Sequence, residues 1–148
     1  MDPAKKPLRA AAIVAPGQGR LYPMGKMHAV FKADLGETDS QYSISEWWLE
    51  PDTAGPGAHS HPEDHVYYVI EGELSVFFDG AWSQAKRGSY ILIPGGTSHD
   101  FQNRGTERVG FMSINYPGGF ERQLPGIVEW FAANPPGPAD RSISPTTR

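Results

Sequence analysis

Two segments of this chain alternate short apolar runs with glycine and proline in a way that leaves little room for anything but strands and turns. Residues 57–72 read G-A-H-S-H-P-E-D-H-V-Y-Y-V-I-E-G, and residues 88–103 read G-S-Y-I-L-I-P-G-G-T-S-H-D-F-Q-N. The runs at 66–70 and 74–78 are rich in β-branched and aromatic residues, which suit a pleated, half-buried surface. Between them Glu71-Gly72 reads as a hairpin turn needing positive φ, and Asp79-Gly80 follows as a second tight turn. Pro94-Gly95-Gly96 ends the run at 90–93 and redirects the chain. Strands at roughly 8–12-residue spacing with turn signals between them predict an all-β sandwich or barrel. No helical periodicity is evident before residue 120.

The same two segments carry four of the five histidines: His59, His61 and His65 in the first, His99 in the second. Neutral imidazole offers a lone pair near neutral pH and is the commonest protein ligand for transition metals. Residues two apart on a strand share a face, so His59 and His61 can reach one centre. His65 keeps that parity if the turn at Pro62-Glu63-Asp64 preserves the register, and the break at residues 94–96 lets His99 return toward the cluster. One such histidine would most simply be a surface residue; four in two glycine-bounded blocks point to a metal. His28 stands alone and reads as structural or exposed.

The blocks resemble the two sequence motifs of the cupin superfamily. Gly88, Pro94, Gly96, His99 and Asn103 meet every spacing of the second motif; His59, His61 and Gly72 meet the first, whose third ligand position, usually Glu, is here His65. The motifs span about a third of the chain. The resemblance implies a jelly roll, a double-stranded β-helix barrel. It also implies one divalent transition metal (Mn, Fe, Ni, Cu or Zn) held by His59, His61, His65 and His99. A strand that ends in P-G-G-F-E at residues 117–121 and runs into a helix is similar to the bacterial quercetinase-like branch, named for flavonol 2,3-dioxygenases. That likeness extends to roughly residues 21–131 and implies a dioxygenase or other oxidoreductase acting on a small enolic or hydroxylated aromatic, flavonol- or diketone-like. A non-oxidative cyclase, isomerase or hydrolase, and a module that only senses a metabolite, are the other readings the same fold allows.

Position 65 is where the chain departs from that branch, whose glutamate also takes the substrate's proton. Four neutral histidines leave the metal at its full charge, which raises its Lewis acidity; four-histidine sites occur among cupins, polyketide cyclases included. Glu63 and Asp64, in the loop between ligands, are candidates to replace the missing carboxylate or to hydrogen-bond a ligand ring, against the simpler reading of two solvated turn charges. Glu46 and Glu50, on the preceding strand, are further carboxylate candidates. Tyr67 shares parity with His65, and Phe101 with His99, so both are expected along the pocket. The catalytic candidates are therefore Glu63, Glu46 and Tyr67. Trp47 and Trp48 face opposite ways; the outward one needs a helix, an arm or a second subunit to cover it.

The chain's 148 residues suit one well-buried domain. The expected division is an N-terminal arm over 1–20, which pairs with a neighbouring sheet or frays, a barrel with a C-terminal helix over 21–134, and a disordered tail over 135–148. Early strands are predicted at 28–32 and 42–50. Leu124, Ile127, Val128 and Phe131 repeat at helical spacing, with Pro125 near the start, and predict a short amphipathic helix that closes the barrel or packs outside it. A net charge of −4, with no long basic run, argues against nucleic acid or anionic membrane as partner. No cysteine, no signal-like leader and no apolar stretch of membrane length point to the cytoplasm. The expected partners are a small-molecule substrate and a second copy in a homodimer.

Overall fold

The computed structural model describes residues 10–140. Nine strands are present among them: β1 (Arg20–Met24), β2 (Met27–Ala33), β3 (Ser43–Leu49), β4 (Asp64–Glu71), β5 (Glu73–Phe78), β6 (Ala81–Lys86), β7 (Tyr90–Ile93), β8 (Asp100–Gln102) and β9 (Val109–Tyr116). A 3-10 turn at Phe120–Gln123 leads into the single α-helix, α1 (Leu124–Ala133). The strands form a six-stranded sheet in the order β1-β2-β3-β9-β4-β7 and a three-stranded sheet in the order β6-β5-β8. Every pairing is antiparallel. The architecture is the expected all-β jelly roll with a short C-terminal helix.

Local chemistry explains the turns. Asp79 and Gly80 take φ of 52° and 78° and bring Phe78 opposite Ala81, the two-residue hairpin that matches strand twist. Gly72, with φ of 73°, separates β4 from β5. On β3 the alternation is strict: Ser43, Ser45, Trp47 and Leu49 are buried inward, and Ile44, Glu46 and Trp48 lie on the outer face. Trp47 joins an inner aromatic group with Tyr67, Phe101 and Phe111, whose ring centroids stand 4.7–6.1 Å apart for the contacts that Tyr67 and Phe101 make with Phe111 and with each other. Met24, Met27, Leu49, Val69, Leu74 and Val76 complete the core, each worth about 1.5–3 kcal/mol on full burial.

The outward Trp48 is covered differently from the expectation. Its ring lies flat on Gly110 of β9, where a Cβ would fall 2.2 Å from a ring carbon, and the Arg108 guanidinium sits 4.3 Å over it. The chain covers this tryptophan itself, because a glycine across the strand pair leaves the indole a seat. His28 is half-buried on the same outer face, opposite Trp48. Burial and then Arg108 push its ring below the usual histidine range.

Both termini need comment. Residues 1–9 of the expected arm and 141–148 of the expected tail lie outside the described residues. Residues 10–19 form no strand, and Ile13 is 96% exposed there. Residues 135–140 of the expected tail form no helix or strand. Pro136 is buried, Ala54 N–H donates to Gly137 O at 2.9 Å, and Ala139 N–H donates to Asp52 Oδ1 at 3.3 Å. Proline-rich composition there gives a segment without secondary structure that is nonetheless tied to the barrel.

Candidate metal centre

The two histidine-bearing segments meet at one end of the barrel. His59 and His99 face each other in an isolated antiparallel bridge, His59 N–H donating to His99 O at 3.0 Å and His99 N–H to His59 O at 2.8 Å. His65 is the second residue of β4, paired with Ile93 and Asn115. His61 precedes it in a loop that the Pro94-Gly95-Gly96 turn grips. Gly96 N–H donates to His61 O at 2.7 Å, and Gly95 N–H to Asp64 Oδ1 at 2.8 Å. A Cβ on Gly95 would stand 2.2 Å from Pro62 O, so this contact admits only glycine.

The four rings converge. Centroids stand 4.7 Å apart for His59–His61, 4.4 Å for His59–His99, 4.3 Å for His61–His65 and 5.3 Å for His65–His99. Nδ1 of His59 lies 2.6 Å from Gly57 O, and Nδ1 of His99 lies 2.8 Å from Thr97 O. A carbonyl at Nδ1 requires the proton there and leaves Nε2 with a free lone pair, the arrangement that orients a metal-binding imidazole. Nε2 of His99 and of His61 are both buried without any hydrogen-bond partner. The Asn115 amide nitrogen lies 3.1 and 3.0 Å from the two ring nitrogens of His65. A neutral ring has one in-plane lone pair, and an atom nearly equidistant from both nitrogens lies off its axis.

Burial, then repulsion from His59 and His99, pushes the His61 ring down to about 3. Burial and then the neighbouring histidines, His61 foremost, do the same to His65, also to about 3. Burial likewise lowers His59 and His99. All four rings are therefore neutral at pH 7, the state a metal needs. Donor atoms of His59, His61 and His99 lie within 4.8 Å of one another, as do those of His61, Glu63 and His65. These are two overlapping sets that share His61, and His65 and His59 do not fall in a common set. Buried lone pairs with no proton donor, on neutral rings this close, suit a divalent transition metal.

His59, His61 and His65 open on a cavity of about 280 Å³ lined by Trp47, Tyr67, Phe101, Phe111 and Ser113 of the barrel. Tyr67 and Phe101 are thus where parity put them; burial raises the Tyr67 phenol above its usual range, so it stays protonated. Glu46 is not in the pocket. Strand alternation turns it to the outer face, where it accepts from Trp48 Nε1 at 3.3 Å. Glu50 is exposed just beyond β3, and Asp64 is exposed and spent on Gly95. Glu63 remains beside the rings. Asn103, the last residue of the second block, is fully buried; its Nδ2 donates to the carbonyls of Leu49, Glu50 and Glu107 at 2.8–3.2 Å and its Oδ1 accepts from Gly105 N–H.

The sequence reading missed the cavity's other wall. Phe120, Gln123, Ile127, Trp130 and Phe131 line it from the C-terminal segment. Phe120 stands 4.9 Å from the His61 ring and 5.7 Å from that of His65. The motif at 117–121 contained Phe120, but its ring could not be placed over the histidines from sequence. Trp130 falls off the apolar stripe of α1 and gave no periodic signal.

Comparison with known proteins places this geometry. The cupin domain family matches residues 45–115. An uncharacterised protein of Streptomyces coelicolor is 27% identical over 74 residues, half of this chain, and the match spans 54% of that protein's length. Among solved structures, a predicted oxalate decarboxylase of Thermotoga maritima superposes with a TM-score of 0.66 at 17% identity, over 72% of this chain and 99% of that one. The polyketide cyclase RemF of Streptomyces resistomycificus gives 0.63 at 18% identity, over 72% of this chain and 80% of that one. These likenesses show the fold, and with the matched domain they support the cupin superfamily.

Proposed function

We propose that this chain, a cupin by fold and by its matched domain, is a metal-dependent enzyme whose His59, His61, His65 and His99 hold one divalent transition metal. Its substrate is a small enolic or hydroxylated aromatic compound. The observation that carries this reading is the pair of buried, unpartnered Nε2 atoms of His61 and His99, in a histidine cluster of which His59, His61 and His65 line an aromatic cavity. When bound, a redox-active metal supplies O₂-dependent oxidation, and Zn supplies polarisation for cyclisation, isomerisation or hydrolysis. The chain's own residues do the rest. Trp47, Phe101, Phe111 and Phe120 exclude water and present flat faces to a planar ligand. The neutral phenol of Tyr67 is placed to orient oxygen substituents as a donor, and Ser113 and Gln123 add polar contacts.

Metal analysis of protein purified without a histidine tag, followed by O₂ uptake with flavonols and β-diketones, tests the reading. Stoichiometric metal with O₂ consumption supports it, and metal-free protein overturns it. Turnover without O₂ uptake favours the cyclase or isomerase reading, for which the likeness to a polyketide cyclase is the motive.

The homodimer is proposed on the outer sheet face. Tyr68, Tyr90, Leu92 and Tyr116 are exposed there on β4, β7 and β9, with Tyr68 opposite Tyr90, an apolar patch that a second copy would cover. Sedimentation showing a monomer at tens of micromolar would refute it. Among the described residues, no helix is long and apolar enough to cross a membrane; a cytoplasmic location is proposed with the rest.

A further inference from the structure

Among the described residues, Glu63 is the carboxylate that the fold groups with the histidines. It lies two residues from His61 and two from His65, so alternation at the mouth of β4 turns it to their side. Its donor oxygen lies within 4.8 Å of theirs. Its Oε2 is buried and has no hydrogen-bond partner. Among the described residues no lysine or arginine forms an ion pair with it. The neighbouring Asp64 shows the contrast: it is exposed and takes the Gly95 N–H.

The backbone that carries Glu63 is held from both sides. Gly96 N–H grips His61 O, Asp64 grips Gly95, and the Pro62 carbonyl packs where Gly95 lacks a side chain. The residue is half-buried, with Oε2 the enclosed oxygen. A buried carboxylate oxygen without a donor is costly unless a cation completes it. Oxygen ligands bind divalent ions at about 2.0–2.2 Å, as imidazole nitrogens do. Two donors on opposite sides of one ion are therefore at most about 4.4 Å apart. The observed spread needs only a small closure.

We propose that Glu63 is itself a ligand of the metal, completing the side of the centre formed by His61 and His65. This rests on the metal reading above. The consequence is electrostatic and selective. A carboxylate lowers the net charge of the centre by one relative to four neutral rings, and it favours harder ions such as Mn²⁺ over Cu²⁺.

The test uses tag-free full-length protein, wild type and Glu63→Gln, loaded separately with Mn²⁺, Co²⁺ and Cu²⁺. Chelator competition should show a loss of Mn²⁺ affinity of about 10-fold or more in Glu63→Gln, with Cu²⁺ affinity changed less. The visible spectrum of the Co²⁺ form should shift, which a merely structural glutamate would not cause. The melting temperature of the metal-free variant should stay the same or rise, because an unpaired buried charge has gone. Glu63→Asp, which keeps the charge on a shorter arm, should recover part of the Mn²⁺ affinity. Wild-type protein that binds none of the three ions would overturn the metal reading and this proposal with it. Wild-type binding with unchanged Mn²⁺ affinity and Co²⁺ spectrum in Glu63→Gln would overturn the assignment of Glu63 alone.

Discussion

The two segments that build the centre satisfy their side-chain polar groups to different extents. In the segment that ends at Asn103, the polar groups have mostly found partners within the protein. His99 is tied through Nδ1 to Thr97, Asp100 Oδ1 takes the N–H groups of Gly57 and Phe101, and Asn103 holds three carbonyls. Burial raises the Asp100 carboxyl to about 6 against those two backbone donors. In the segment 59–65 the backbone is just as firmly gripped, but buried atoms of His61 and Glu63 have no partner. The first segment leaves one buried atom open, His99 Nε2, and the second leaves two, His61 Nε2 and Glu63 Oε2. A site of this kind is preorganised by the backbone grip on both blocks and completed by a ligand that both reach.

Acid should blur that division most. The rings of His61 and His65 are depressed to about 3 in the folded protein, against about 6.5 unfolded. Between those values the unfolded chain binds more protons, so the stabilising contribution is complete above about pH 6.5 and disappears as pH falls toward 3. Metal release and unfolding should therefore coincide on acid titration, followed by metal content and circular dichroism together. Release well before unfolding would show that the rings titrate while folded, and would break the comparison.

Next in size is His61→Ala. Its expected loss of metal affinity exceeds the about 10–100-fold typical of an outer hydrogen-bond partner, while the metal-free melting temperature changes little. Asn103→Ala should do the reverse. The carbonyls of Leu49 and Glu107 lose this donor and that of Glu50 keeps Thr53, at about 1–3 kcal/mol in denaturant unfolding, with metal stoichiometry of the folded fraction retained. Gly95→Ala sits between the two segments, since its Cβ would strike Pro62 O. It should cost about 1–3 kcal/mol and lower metal affinity as well, by displacing the loop of His61 and Glu63. If Gly95→Ala left metal affinity untouched, the grip on that loop would be structural only.

What could be read in the sequence follows the range of the interactions that decide it. Asp79-Gly80 and Gly72 were legible because a turn is settled within a few residues. The convergence of His59, His61, His65 and His99 was legible because strand parity and one proline-glycine break suffice to bring them together. The wider separation of the His59 and His65 donor atoms was not, since it depends on side-chain placement. Parity required one of Trp47 and Trp48 to face inward but left open which; Gly110, more than sixty positions on, supplies the outer seat for Trp48. β6, with Ser83, Gln84 and Lys86, shows little strand propensity and owes its pairing to β5. β8 is too short, at three residues, to show any alternation, and all three are buried. The placement of Glu46 failed for a simpler reason: being on the right strand does not choose the face.

The tie between residues 137–139 and the loop at 52–54 bears on how a molecule gets in. α1 and its preceding turn form one wall of the cavity, and they run from the end of β9 to that tie, so the wall is anchored at both ends. Such a wall does not hinge open like a door. Admission falls instead to side chains at the rim, where the 56%-exposed Trp130 can swing between rotamers on a picosecond-to-nanosecond timescale.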